Sequence, residues 1–311
     1  MAVTVTAAMV KALRDITQAG VMDCKKALIE AEGNQEAAVE ILRKAGLAMA
    51  AKKSSRIAAE GLVNFAISED GKKAAIVEVN SETDFVAKNE LFRNFVAKVA
   101  KQALTTKAAN LDEFKAEPWI DDPSQTVGDA LVALVAVIHE NLQIRRFEIF
   151  ESENYIASYI HGQGKIGVLV DMGCQEVNDV VKDAGKHIAM QVCAMNPQFL
   201  DEASVDPAWV AKEKEIILAQ IAQDPKNANK PAMVQEKMSI GKLNKRYKEV
   251  CLLDQEYSFG DDQTVAQYLK ETSKKVGFEV SVKKFIRYET GEGIEKKEEN
   301  FAEEVAKQMQ N

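Results

Sequence analysis

The chain reads Leu62-Val63-Asn64-Phe65-Ala66-Ile67, then a Glu69-Asp70-Gly71 turn, then Ala75-Ile76-Val77-Glu78-Val79. A second stretch follows the same plan with Tyr155-Ile156-Ala157-Ser158-Tyr159-Ile160, a Gly162-Gln163-Gly164 turn, and Gly167-Val168-Leu169-Val170-Asp171. Two apolar segments around a glycine-containing turn are typical of a β-hairpin. The repetition predicts a core built from two related halves.

The elements that follow each hairpin are also repeated. Apolar residues at helical spacing predict a helix over residues 91–104 in the first half and 177–193 in the second. A helix and a strand then close each half, from Thr126 to Glu151 and from Thr264 to Glu289, and these segments align at an offset of 138 residues. Since the hairpins align at an offset of only 92 to 93, the second half contains about 45 extra residues.

The extra residues have the pattern of a helical hairpin. Asp206-Pro207 opens a helical stretch, Pro225-Lys226-Asn227 breaks it, and Pro231 opens a second one. We expect these two helices, residues 206–250, to pack antiparallel and project from the sheet. One seam would then be exposed to a partner or to a second copy of the chain.

The two ends of the chain are predicted to be helical. Residues 1–54 have the spacing of three short helices, followed over 49–59 by a stretch that we expect to be a solvated linker. Gly291-Glu292-Gly293 ends the sheet portion and precedes a C-terminal module, 291–311, with an acidic helix. The predicted fold class is α+β, with a helical head, core subdomains at 55–152 and 153–290, and the C-terminal module.

Composition excludes several function classes. The chain of 311 residues carries 40 basic and 48 acidic side chains, a net charge of -8, which opposes sequence-independent binding of nucleic acid. The apolar run from Ala130 to Ile138 is about half of what a membrane span needs. Four widely separated cysteines among apolar neighbours indicate buried thiols. We therefore expect a cytoplasmic protein that acts on a protein partner.

No motif for bond-making chemistry is present. The sequence contains no G-x-x-x-x-G-K-[ST] loop, no G-x-G-x-x-G between a strand and a helix, and no H-E-x-x-H. An acid/base set could be imagined from Asp84 and a histidine, but nothing in the spacing brings such groups together. We expect neither an enzyme nor a cofactor or metal site.

Residues 80–89, which follow the first hairpin, depart from an ordinary turn. This segment reads Asn80-Ser81-Glu82-Thr83-Asp84-Phe85-Val86-Ala87-Lys88-Asn89 and contains apolar side chains where turns normally have polar ones. Phe85 could fold under the next helix as a hydrophobic staple, with Asp84 or Asn89 as the cap. Alternatively, the segment is a rigid tip that offers an aromatic wedge and a carboxylate to another protein.

The turn between the first two predicted helices also leaves two alternatives. Gly20-Val21-Met22-Asp23-Cys24 sets two apolar residues in a tight connection. Val21 and Met22 could close the three-helix core, or one of them could be exposed as a docking knob, since methionine is common on adaptable interfaces.

Two long segments resemble signatures of one family. Leu13-Arg14-Asp15-Ile16-Thr17-Gln18-Ala19-Gly20-Val21-Met22-Asp23-Cys24-Lys25-Lys26-Ala27-Leu28 and Glu78-Val79-Asn80-Ser81-Glu82-Thr83-Asp84-Phe85-Val86-Ala87-Lys88 resemble the bacterial elongation factor Ts family. The resemblance covers the whole chain and implies that the helical head is ubiquitin-associated-like. It also implies a guanine-nucleotide exchange factor that releases GDP from elongation factor Tu, a GTPase.

The resemblance assigns roles to particular residues. It implies that Phe85 enters an apolar slot of the GTPase domain and that Asp84, flanked by Thr83 and Val86, disturbs the region of the nucleotide's magnesium. Further contacts are implied for the head at Arg14, Val21 and Met22, and for the core at Ile138, His139 and His161. His139 stands where the family pattern has glycine. A dimeric scaffold without exchange activity is the alternative function, and a homodimer or 2:2 complex through the helical hairpin is the expected mode of association.

Overall fold

The computed structural model describes residues 4–260 and 262–295. Helices surround two three-stranded antiparallel sheets, so the predicted α+β class is confirmed. The predicted C-terminal helix lies outside the described residues. In chain order the elements are α1 Ala7–Thr17, α2 Val21–Glu30, α3 Gln35–Lys53, β1 Glu60–Ile67, β2 Lys73–Ser81, α4 Asp84–Lys88, α5 Glu90–Thr105, α6 Leu111–Ala116, α7 Val127–Ile138, β3 Gln143–Glu151, β4 Tyr155–His161, β5 Ile166–Gly173, α8 Asp179–Met195, α9 Pro207–Gln223, α10 Ala232–Val250, α11 Val265–Val276 and β6 Ser281–Glu289.

The head consists of α1, α2 and α3, as predicted. Its small core contains the fully buried side chains of Leu13, Cys24 and Leu28. The prediction of a linker over residues 49–59 is wrong for its first part, because α3 continues to Lys53. The C-terminal end of α3 is rich in alanine, which favours helix, and α3 packs against α7. The packing is close at Gly46, since a Cβ atom at this position would lie 3.4 Å from the Ala136 Cβ.

The two halves of the core repeat each other in detail. Their sheets have the orders β1-β2-β3 and β4-β5-β6. Each middle strand has a β-bulge at the equivalent point, after Glu78 in β2 and after Asp171 in β5. Both α7 and α11 begin with a capping box, on Thr126 and Thr264. The predicted duplication is therefore confirmed.

The halves meet through contacts with approximate two-fold symmetry. The backbone N–H of Val63 donates to the Gly164 carbonyl over 2.7 Å, and the N–H of Ile156 donates to the Gly71 carbonyl over 3.0 Å. These two hydrogen bonds are related by the hairpin offset. Apolar side chains from both sheets fill the space between them, namely Val63, Ala74, Ile76, Phe150, Ile156, Leu169 and Tyr288.

A buried carboxylate also joins the halves. Glu78 accepts hydrogen bonds from the guanidinium groups of Arg145 (2.9 Å) and Arg146 (2.6 Å) and from the backbone N–H of Gly291 (2.8 Å). Burial alone would raise the pKa of Glu78, but these hydrogen bonds and charges outweigh it and lower the pKa. Arg146 also lies over the ring of Tyr288, 3.9 Å from its centroid.

Residues 206–250 form the predicted helical hairpin. Helices α9 and α10 pack against each other, with Ile217 and Ile221 buried. Across the hairpin, Arg246 Nε lies 2.8 Å from Glu213 Oε1. Met233 and Ile240 are exposed on α10. The insertion thus adds a helical arm to the second half.

Candidate interaction site

The segment after β2 forms a projecting tip, which we define as residues Thr83 to Lys88. The Thr83 side chain accepts a hydrogen bond from the Val86 N–H and so caps the single helical turn of α4. Phe85 is 79% exposed, whereas Val86 and Ala87 are buried in the first core. The staple prediction is wrong for Phe85, because these smaller side chains take the inward positions, whereas its expected cap at Asn89 is confirmed at the start of α5. The structure places an aromatic ring in solvent.

The carboxylate of the tip already has a partner. Asp84 Oδ2 lies 2.7 Å from Lys88 Nζ, and this hydrogen bond lowers the pKa of Asp84. The positive charge of Lys165, in the β4–β5 turn, acts in the same direction. The Lys88 Nζ also lies 5.8 Å from the centroid of the Phe85 ring. The tip therefore combines an exposed ring with an ionised carboxylate whose charge is locally balanced.

The second half of the core forms the same sheet-and-helix unit without an equivalent of this tip. Asn89 and Asn178 cap the equivalent helices α5 and α8. Eight positions separate Ser81 from Asn89, but only four separate the equivalent Cys174 from Asn178. The second half closes the same sheet-and-helix unit with the shorter connection. The additional turn in the first half therefore serves something other than closing the sheet.

The base of the tip is held by a segment that was not predicted from the sequence. Glu140 accepts hydrogen bonds from the Thr83 hydroxyl (2.6 Å) and from the backbone N–H groups of Thr83 (3.0 Å) and Glu82 (3.1 Å). Glu140 is 57 positions from Thr83 in sequence. Only the pairing of β2 with β3, in which Asn80 lies opposite Gln143, indicates that the two loops share one sheet edge.

Two of the residues through which the core is predicted to contact a partner, Ile138 and His139, immediately precede Glu140. Ile138 packs against the first core, and His139 ends α7 in the left-handed conformation with φ 63°. The glycine that the resemblance leads us to expect here would adopt this conformation freely, whereas other residues adopt it at a cost of about 1–2 kcal/mol. The His139 carbonyl accepts a hydrogen bond from Lys53 Nζ at 2.6 Å, which links α3 to the same turn.

The third predicted core residue, His161, is exposed at the end of β4. Its Nδ1 lies 3.2 Å from the Tyr159 hydroxyl oxygen. The His161 carbonyl accepts hydrogen bonds from the N–H groups of Gly164 and Lys165 in the following turn. Lys165 Nζ donates a hydrogen bond to Glu60, which lies opposite Ser81 at the end of β2, so this turn lies on the side of the molecule that carries the tip.

The head exposes the apolar residues at the start of α2. Gly20 is the N-cap of α2, and Val21 (50% exposed) and Met22 (60% exposed) form its first turn. Arg14, in the last turn of α1, is also exposed. Of the two alternatives, closure of the head core by Val21 and Met22 is wrong, since Cys24 and residues of α1 and α3 fill that core.

Other kinds of site find little support in residues 4–260 and 262–295. Within them, no group of three or more His, Cys, Asp or Glu side chains could hold a metal ion. No helix in the same ranges is long and apolar enough to cross a membrane. All four cysteines are buried and free, and burial raises the pKa of the Cys251 thiol to about 11. A thiol with so high a pKa is a poor nucleophile.

The fold and these exposed positions define a class of protein. It has a duplicated α+β core, a three-helix head, and apolar side chains on head and tip of the kind that protein interfaces bury. Comparison with known sequences then gives the family. The sequence model of the family described as Elongation factor TS matches residues 82–292.

Full-length relatives agree with the family match. Elongation factor Ts of Clostridium tetani (strain Massachusetts / E88) is 54% identical over 307 residues, which cover 98% of this chain and 100% of that protein. The Clostridium novyi (strain NT) protein of the same name is 52% identical over 306 residues, covering 98% and 99%. That of Clostridium perfringens (strain 13 / Type A) is 49% identical over 304 residues, covering 97% and 98%. The chain belongs to the elongation factor Ts family, a family of translation elongation factors.

Proposed function

We propose that this protein is a guanine-nucleotide exchange factor that binds elongation factor Tu with GDP and promotes release of the GDP. The observation that carries the proposal is the exposed Phe85 on a braced tip that the second half of the core lacks. A rigid exposed ring is suited to act as a wedge, because little ordering is needed when it binds.

In this proposal the site residues have three roles. Phe85 enters an apolar slot of the GTPase domain, while Asp84 disturbs the surroundings of the nucleotide's magnesium. Because Asp84 is paired with Lys88, the desolvation cost of bringing its carboxylate into an interface is lower than that of an unpaired charge. Thr83 and Val86 anchor the tip. Additional contacts come from the head and the core, through Arg14, Val21, Met22, Ile138, His139 and His161.

The proposed mechanism is thermodynamic linkage and involves no bond chemistry. If the protein lowers the affinity of elongation factor Tu for GDP by some factor, GDP lowers the affinity for the protein by the same factor. The wedge needs only to bind better to a conformation in which magnesium and phosphate contacts are lost. Magnesium neutralises phosphate charge, so its displacement weakens nucleotide binding.

The organisation proposed for the chain follows these roles. Residues 1–54 form the head that binds the GTPase domain, 55–152 and 153–290 form the two core subdomains, and 291–311 form a C-terminal module. The helical hairpin is proposed to associate with a second copy or a second complex. We place this activity in the cytoplasm, where translation elongation takes place.

The test is release of fluorescent GDP from purified elongation factor Tu in excess unlabelled nucleotide. Catalytic amounts of the protein should accelerate release, and the rate should saturate as its concentration rises. A dimeric scaffold without exchange activity is the alternative. It would bind elongation factor Tu and leave the rate of release unchanged, and that result would overturn the proposal.

A further inference from the structure

We propose that Glu140 is a positioning residue for exchange, which fixes the direction in which the tip presents Phe85 and Asp84. This inference rests on the proposed function. It assigns a role to a residue outside the tip, the head and the predicted core contacts.

The first support is the hydrogen-bond geometry at Thr83. The Thr83 hydroxyl donates to Glu140 Oε1 over 2.6 Å and accepts from the Val86 N–H over 3.4 Å. A carboxylate can only accept, so it fixes the hydroxyl proton and leaves the oxygen lone pairs for the helix cap. Glu140 therefore acts on α4 through Thr83.

The second support is that the two loops grip each other reciprocally. Glu140 accepts from the backbone of residues 82 and 83, while Glu82 Oε1 accepts from the backbone N–H of Asn141 over 2.6 Å. The Asn141 side chain donates to the Arg56 carbonyl over 2.7 Å, and Arg56 Nη1 lies 3.4 Å from Glu82 Oε2. Hydrogen bonds to charged groups are stronger than neutral ones, so this base resists rotation of the tip.

The third support comes from the other half of the core. At the offset of 138 residues that aligns α7 with α11, His139 corresponds to Gly277, and both end their helices with positive φ. Glu140 then corresponds to Phe278, whose side chain packs against the second core. The half without the tip thus has an apolar residue where the half with the tip has a carboxylate. A purely structural need of this turn is met by Phe278, so the carboxylate belongs to the tip.

The experiment compares Glu140→Ala and Glu140→Gln with the unmodified full chain in GDP release from elongation factor Tu. Glu113→Ala is the matched control, because Glu113 likewise accepts hydrogen bonds from a loop, at the Ala109 N–H (2.9 Å) and the Asn110 side chain (2.8 Å). Melting temperatures and circular dichroism identify a temperature at which every variant is folded. The release rate is then measured over a range of factor concentrations.

We expect Glu140→Ala to lower the release rate at saturating factor about tenfold, which corresponds to the contribution of about one hydrogen bond to a charged group. The half-saturating concentration should change less, because the head contacts are untouched. The saturating release rate of Glu140→Gln should lie between those of the wild type and Glu140→Ala. Its amide oxygen can still accept a hydrogen bond, whereas its NH₂ group cannot accept one from Thr83. If Glu140→Ala does not fold, Glu140→Gln decides the question, because its saturating rate should fall while its half-saturating concentration changes less.

Three results would overturn the inference. The saturating rate could be unchanged in the folded Glu140 variants, or Glu113→Ala could lower it equally. A wild-type chain that leaves GDP release unchanged would instead overturn the proposed function and the inference with it. Because the wild-type rate is measured in the same series, the two failures are distinguished.

Discussion

Replacing Phe85 with alanine separates an interaction role of the tip from a packing role. The ring is 79% exposed in the free protein, so its removal takes little buried surface from the chain itself. We expect the free energy of unfolding of the variant to stay within about 0.5 kcal/mol of the wild type. The backbone of the tip remains fixed by Glu140 and Thr83.

The effect on the interface can be calculated from the exposed area. A phenylalanine buries roughly 200 Å², so the exposed fraction leaves about 160 Å² for a partner to cover. At about 25 cal/mol per Å², complete burial would contribute about 4 kcal/mol. Because alanine retains the Cβ and interfaces cover side chains incompletely, a loss of about 2 kcal/mol or more is expected, which corresponds to about 30-fold.

The assay is GDP release at sub-saturating factor, with the melting temperature measured on the same preparation. Phe259→Ala is a suitable control, because Phe259 is also exposed (44%) but belongs to the aromatic cluster around His187 in the second half. Normal exchange by Phe85→Ala would refute the wedge. A large loss of stability would instead support packing of the ring in the core.

Three further perturbations test other parts of the molecule. Joint replacement of Val21 and Met22 by alanine should weaken binding to elongation factor Tu about tenfold without lowering the melting temperature of the chain. A titration of elongation factor Tu with the labelled variant measures the affinity, and an unchanged affinity would show that these head residues make no contact. Replacing residues 206–250 with a short Gly-Ser linker should preserve exchange but reduce self-association in light scattering; loss of exchange in a folded variant would contradict this. Glu78→Ala should lower the free energy of unfolding by about 3–5 kcal/mol in urea titrations, because two guanidinium groups lose their buried partner. Since the pKa of Glu78 is lowered in the folded state, the contribution of Glu78 to stability is complete at neutral pH and is lost on acidification. The difference in free energy of unfolding between wild type and Glu78→Ala should therefore shrink below about pH 4. An unchanged difference would argue against the pairing.

The repeated core and the helical hairpin could be predicted because their signals are local. Alternating apolar residues, glycine turns and prolines mark the strands and helices without knowledge of tertiary structure. The C-terminal part of α3 was missed for the opposite reason. Its alanines give no apolar stripe, and they are helical against α7, an element more than 70 residues further along the chain.

The candidate site was predictable in part. The sequence pointed to the segment around Phe85 but left its direction open, since Phe85 could either fold under the next helix or be offered to another protein. The structure resolves this through packing of Val86. Glu140 could not be identified from spacing, because its contact with Thr83 depends on the register of β2 against β3. The glycine expected at His139 has a backbone explanation, the left-handed end of α7.

If the chain is an exchange factor, its binding to elongation factor Tu and the binding of GDP oppose each other. The most direct measurement is the affinity of the chain for elongation factor Tu by titration calorimetry, without nucleotide and at saturating GDP. Linkage predicts much tighter binding without nucleotide, with the ratio of the two affinities equal to the factor by which the chain weakens GDP binding. Equal affinities with and without GDP would contradict it and leave a scaffold.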